Sequence, residues 1–148
     1  MSQTEILSMK SGRDLDLKVA LEIMDYLWIT HWLRFSAEMA VKWIGTQQEL
    51  DEAGGVLTAV KPSDFQELKL RANFDEIVPN FSTDLSAAQQ VVDKMAELGY
   101  KYVTKTHMED NRTIYYAAFQ KGNIDAPCVS AATAAEAIVK AALVAVTR

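Results

Sequence analysis

Cysteine is nearly absent from the 148 residues: Cys128 stands alone, so no internal disulfide can form and a four-cysteine zinc site is excluded. That usage suits a reducing cytoplasm. Histidine is almost as scarce. His31 and His107 are separated by about half the chain, neither has a second histidine within helical reach, and no HExxH occurs. No metal site is expected. Basic residues are outnumbered, 15 against 20 acidic ones, giving a net charge of −5. Wholesale nucleic-acid binding is therefore not expected, because it needs Lys and Arg to displace counterions from phosphates. Glycine is sparse and never falls into GxGxxG, GxxxxGK[ST] or GxSxG, so no phosphate loop or nucleophile elbow is expected. The stretch MSQTEILSMKSGRD lacks the basic start and long apolar centre of a secretory signal. The longest apolar run, Val129–Val146, is interrupted by Glu136 and Lys140. Its helical part spans about 20–24 Å, short of a bilayer core of about 30 Å, so it reads as a buried helix.

What is present is ordinary folded-protein material: 49% hydrophobic and 24% charged residues. A chain this long fits one domain, 1–148, which can bury roughly 68–70% of its unfolded surface. Ser11-Gly12-Arg13-Asp14 has the spacing of a capping box. After it Leu15, Val19, Ala20, Ile23, Met24 and Leu27 recur at helical spacing, with Lys18, Glu22 and Asp25 on one polar stripe. Asp16 falls on the apolar side, in the first turn, where free N–H groups stabilise a carboxylate; it reads as a structural anion suited to an arginine partner.

Leu27–Phe35 (LWITHWLRF) is rich in aromatic and β-branched residues and predicts a strand, followed by a second at Met39–Ile44. Thr46–Glu49 opens a short helix that Gly54-Gly55 stops, and Val56–Val60 predicts a third strand. Residues 63–80 show weak periodicity. The clearest element is FSTDLSAAQQVVDKMAELGY at 81–100. Leu85, Ala88, Val91, Val92, Met95 and Leu98 share one face of a helix capped by Ser82–Asp84 and stopped by Gly99. Beyond it the period becomes that of a strand at Tyr100–His107, a turn at Glu109-Asp110-Asn111 and a second strand at Thr113–Phe119. Cys128–Ser130 predicts a short edge-like strand, with Cys128 packed, and Thr133–Glu136 caps a last helix in which Glu136 and Lys140 pair. The order predicts an α+β fold with a mainly antiparallel sheet.

No catalytic constellation stands out, and no cofactor is expected. The residues with binding chemistry are Arg13 and Asp16, the aromatic set Trp28, Trp32 and Trp43 with Tyr26 and Phe35, and the cations Lys101 and Arg112 near the hairpin. Core packing competes with binding for the tryptophans, and a solvated strand face competes for the cations.

Three segments, SGRDLDLKVALEIM, FSTDLSAAQQVVDKMAELGY and ATAAEAIVKAALVAV, together resemble the phage ABA sandwich domain family, small proteins encoded by phages and prophages. The resemblance covers about half the residues, in the order G-R-[DE]-L-D, Y/F-S-T-D and A-x-x-A-E-A-I. It implies an α/β/α sandwich, with helices on both faces of the sheet. Arg13, Asp16, Ser82, Thr83, Asp84 and Glu136 stand at the family's recurrent polar positions, and it supplies no catalytic residue. The chain departs from the pattern at 27–80, an insertion-like section, while 82–148 forms a helix–hairpin–strand–helix half. The resemblance implies a non-enzymatic accessory protein in the cytoplasm of a bacterial host, binding a host protein or sequestering a small anionic, nucleotide-like ligand. Two other readings stay open: a small enzyme using Asp14, Asp16 or Asp84 with His31, and a structural protein that self-associates as a homo-oligomer.

Overall fold

The computed structural model describes residues 2–123 and 127–147. It is an α+β fold with mostly antiparallel pairing, consistent with the sandwich architecture. The chain divides into two compact units, one of residues 1–24 with 79–148 and the other of residues 25–78.

The first unit begins with α1 (Gln3–Ser8) and α2 (Arg13–Glu22). The capping box expected at Ser11 does not form. Gly12 is the N-cap, with φ 147°, and makes no side-chain capping bond. The Ser11 hydroxyl is committed elsewhere, donating to Glu136 Oε1. Helix α5 (Leu85–Glu97) starts at Asp84, whose carboxylate accepts the Ser86 N–H at 3.0 Å, and is followed by Gly99 at φ 94°. Val91, Val92 and Met95 of its apolar face are buried, whereas Leu85 and Leu98 at its two ends are exposed.

Strands β5 (Lys101–Glu109) and β6 (Arg112–Gln120) form a nine-pair hairpin from Lys101↔Gln120 to Glu109↔Arg112. Asp110 and Asn111 both have positive φ, 50° and 63°, which is the signature of a type I′ turn whose twist matches that of the strands. Strand β7 (Val129–Ala131) pairs with β6 through Tyr115↔Ala131, giving the order β5-β6-β7. Cys128 precedes it and is exposed, contrary to the packed position expected; Val129 and Ala131 are the buried residues there.

Helix α6 (Ala134–Val146) is capped by Thr133, whose hydroxyl accepts the Glu136 N–H at 3.2 Å. Ala135 and every residue from Ala137 to Ala145 are buried, because β6 and β7 flank the helix on one side and α1, α2 and α5 on others. The Lys140 ammonium inside this packing meets Glu136 Oε2 at 3.3 Å and the Leu7 carbonyl at 3.1 Å.

The second unit is built on β1 (Leu27–His31), β2 (Val41–Gly45), β3 (Leu57–Ala59) and β4 (Lys69–Leu70), ordered β3-β1-β2-β4. Pairing is antiparallel except between β2 and β4. Helix α3 (Gln47–Glu52) is capped by the Thr46 hydroxyl as expected, and α4 (Phe74–Ile77) adds a single turn. The strand expected at 27–35 ends at His31, and the apolar residues 32–35 stand in an exposed connection.

Candidate binding surface

Cross-strand register decides which side chains of the second unit share a face. Trp28↔Ile44, Thr30↔Lys42 and Thr30↔Thr58 place Trp28, Thr30, Lys42, Ile44 and Thr58 on one face. Phe65 covers part of it. Its ring meets Trp28 edge-on at 5.7 Å and lies 3.6 Å from the Lys42 ammonium, which also donates to the Phe65 carbonyl. Thr30 turns its hydroxyl to the Val41 carbonyl at 2.7 Å. The Trp32 N–H continues this ladder to the Val56 carbonyl at 2.9 Å.

At that end the sheet opens. Trp32 is 62% exposed, Val56 61% and Phe35 78%, with Leu33 exposed beside them. Single exposed apolar residues need no explanation, but two aromatics and a leucine exposed along one short connection, with an exposed valine bonded to its start, do. Next to Trp32 lies a pocket of about 160 Å³ whose walls include Thr30, Thr58, Arg34, Lys61 and Asp64. Arg34 is held by Asp64 at 3.1 Å, while Lys61 has no ion-pair partner among the described residues. The site therefore combines an apolar, aromatic rim with a small polar pocket carrying one uncompensated positive charge.

The other two tryptophans are not at this surface. Trp43 lies on the opposite face and is 6% exposed, with its indole N–H donating to Glu49 Oε1 at 3.0 Å. Gly45 permits that approach, since a Cβ there would collide with the Glu49 carboxylate. His31 packs against Trp43 at 5.2 Å between ring centres, and its buried Nδ1 has no hydrogen-bond partner among the described residues. Trp28 is half-buried against Phe65.

Arg13 and Asp16 lie in the first unit and form a structural knot. Asp16 is fully buried; its Oδ2 meets Arg13 Nη1 at 2.9 Å and its Oδ1 accepts the Ser82 N–H at 2.7 Å. The same guanidinium reaches Asn80 Oδ1 at 2.7 Å, and the Ser82 hydroxyl accepts the Gly12 N–H at 2.9 Å. Side chains thus complete the backbone bonding at the start of α2 and at the turn before α5.

Lys101 and Arg112 occupy the sheet face that also carries Val103, Lys105 and Tyr116, but at opposite ends of the hairpin, about 27 Å apart at 3.4 Å per residue. They do not form one cluster. His107, on the same face, is exposed. Among the described residues, no group of three His, Cys, Asp or Glu side chains is placed to hold a metal ion.

Phe35 belongs to the aromatic set, whereas sequence reasoning misses Val56, Arg34 and Lys61. The one local signal is Ser36, a single turn-forming residue, and the strand-like composition of 27–35 outweighs it.

The fold class is thus that of a small α+β protein with two mainly antiparallel sheets. The Phage ABA sandwich domain matches residues 17–143, and the chain belongs to that family. No curated protein and no solved structure matches the chain. No helix among the described residues is long and apolar enough to cross a membrane.

Proposed function

We propose that this phage-family protein is a non-enzymatic accessory protein acting in the cytoplasm of a bacterial host, where it binds a host protein through the Trp32–Phe35 surface. The observation that carries this reading is the exposure of Trp32, which lines a pocket with Arg34 and Lys61, together with that of Val56, bonded to Trp32, and of Phe35, next to Arg34 in the chain. Exposed aromatics beside an arginine have the composition of interface hot spots. The pocket has the size of a side chain and the charge to receive a carboxylate, so the partner presents an acidic residue next to an apolar one. A polar pocket of about 160 Å³ is small for a whole nucleotide, which favours the protein partner over a sequestered ligand. The non-enzymatic part of the reading draws support from Asp16 and Asp84, both engaged with backbone N–H groups. Residues 27–80, which carry this surface, act as an insertion-like section of a single domain.

The test is affinity capture from host lysate with the wild type, Trp32→Ala/Phe35→Ala and Lys61→Glu, followed by titration of the captured protein. Both variants are expected to weaken binding at least about tenfold, since truncating an aromatic anchor removes a dominant contact. A captured protein that binds all three forms equally overturns the assignment. So does wild-type protein that retains nothing.

A further inference from the structure

Among the described residues, strand β5 has a partner on one side only. It is the outer strand of the β5-β6-β7 sheet, and among the described residues its backbone pairs with β6 alone. All nine of its residues are exposed or half-exposed. Folded proteins blunt such edges with proline, with bulges or by keeping the strand short. Here none of these devices is present: Lys101–Glu109 contains neither proline nor glycine, and its register against β6 runs without interruption. Two lysines remain as the protecting charges. The Lys105 ammonium, however, lies 4.9 Å from the centre of the Tyr116 ring on β6, drawn over its own sheet and away from the open edge.

We propose that a second copy of this chain pairs with β5 across a two-fold axis centred on Lys105. The sequence KYVTKTHME is complementary to itself in that register. Lys101 faces Glu109 of the second copy, and by symmetry the reverse pair forms too. Tyr102 faces Met108, Val103 faces His107 and Thr104 faces Thr106. Opposite charges, an aromatic with a thioether and two threonines are all favourable cross-strand neighbours. The one unfavourable pair, Lys105 with itself, is relieved by the displacement over Tyr116. A register centred on Val103 would oppose Lys101 to Lys105 and pair only residues 101–105. The proposed register pairs the whole strand and keeps odd residues opposite odd ones. The product is a continuous sheet ordered β7-β6-β5-β5-β6-β7, with α5 and α6 of both copies on the same side. Strand β5 belongs to the first unit, and its pairing does not depend on the Trp32 surface.

Light scattering and sedimentation of the full chain over a wide concentration range test the idea. A concentration-dependent monomer–dimer equilibrium is expected. Lys101→Glu and Glu109→Lys each set like charges opposite one another twice, and each weakens the dimer about tenfold. The double variant K101E/E109K restores it. Lys105→Thr tightens it. In a Cys128→Ser background, the V103C/H107C variant forms a disulfide between copies on mild oxidation; within one strand the two positions are about 14 Å apart and cannot bridge. Trp32→Ala/Phe35→Ala leaves the dimer unchanged. A monomer at every concentration overturns the proposal. Dimerisation that ignores both charge reversals, or a double variant that fails to recover, overturns it as well.

Discussion

Asp16 shows how much can rest on one side chain. Its carboxylate is buried, ion-paired to Arg13 and bonded to the Ser82 N–H, so it joins the start of α2 to the turn before α5. Asp16→Ala leaves the Ser82 N–H without its acceptor and removes the carboxylate from a partly buried guanidinium that keeps Asn80 Oδ1. A loss of about 2–4 kcal/mol is expected in chemical denaturation. Asp14→Asn, exposed in the same helical turn, is expected to change stability by less than about 0.5 kcal/mol. Tyr26 offers a second test, through pH. Partial burial raises its hydroxyl above the ordinary value of 10.0, and the hydroxyl donates to the Ile77 carbonyl at 3.3 Å. The folded chain therefore holds the proton more tightly than the unfolded chain. The stability that follows is fully present below pH 10.0 and is lost as pH rises from there through the folded-state value. Denaturation curves collected from pH 8 to 11 are expected to show a decline that Tyr26→Phe reduces. The anionic role of Asp16 and its arginine partner were legible in the sequence, because an acid on the apolar side of a first turn has few other uses. Its bond to Ser82 was not, since nothing local relates positions 66 residues apart.

At the scale of elements, legibility follows length and periodicity. Helices α5 and α6 and the β5–β6 hairpin repeat their pattern several times and are capped by Asp84, Thr133 and a two-residue turn. Strands of two to five residues in the second unit give no such repetition. LWITHWLRF misled for a physical reason: aromatic and branched residues signal burial, and here the last four lie at the surface. The hairpin turn can be tested directly. Asn111 sits at φ 63°, where a β-branched side chain is strained. Asn111→Val is expected to cost about 1–2 kcal/mol by thermal or chemical unfolding, whereas Asn111→Gly is tolerated. Recovery of stability with glycine separates backbone strain from loss of the asparagine side chain.

For the molecule as a whole, composition and charge were informative about class, and the ordered motifs about family, which the match over residues 17–143 establishes. The location of binding chemistry was less legible. Three tryptophans that read as one set divide into Trp43 in the core, Trp28 at its margin and Trp32 at the surface. The strand register sets Trp43 on the face opposite Trp28, while the end of β1 at His31 and the Phe65 cover on Trp28 distinguish Trp28 from Trp32; no local pattern encodes either. The two halves of the first unit lie on either side of residues 25–78 in the chain, and this sets an order of events during synthesis. The N-terminal helices leave the ribosome before α6, whose flank they occupy, has been made. The uninterrupted segment 25–78 can close around its own sheet during that interval, whereas α1 and α2 must wait as unpaired apolar surface until the final helix emerges. A nascent chain stalled short of Ala134 is therefore the species on which chaperones and proteases would act.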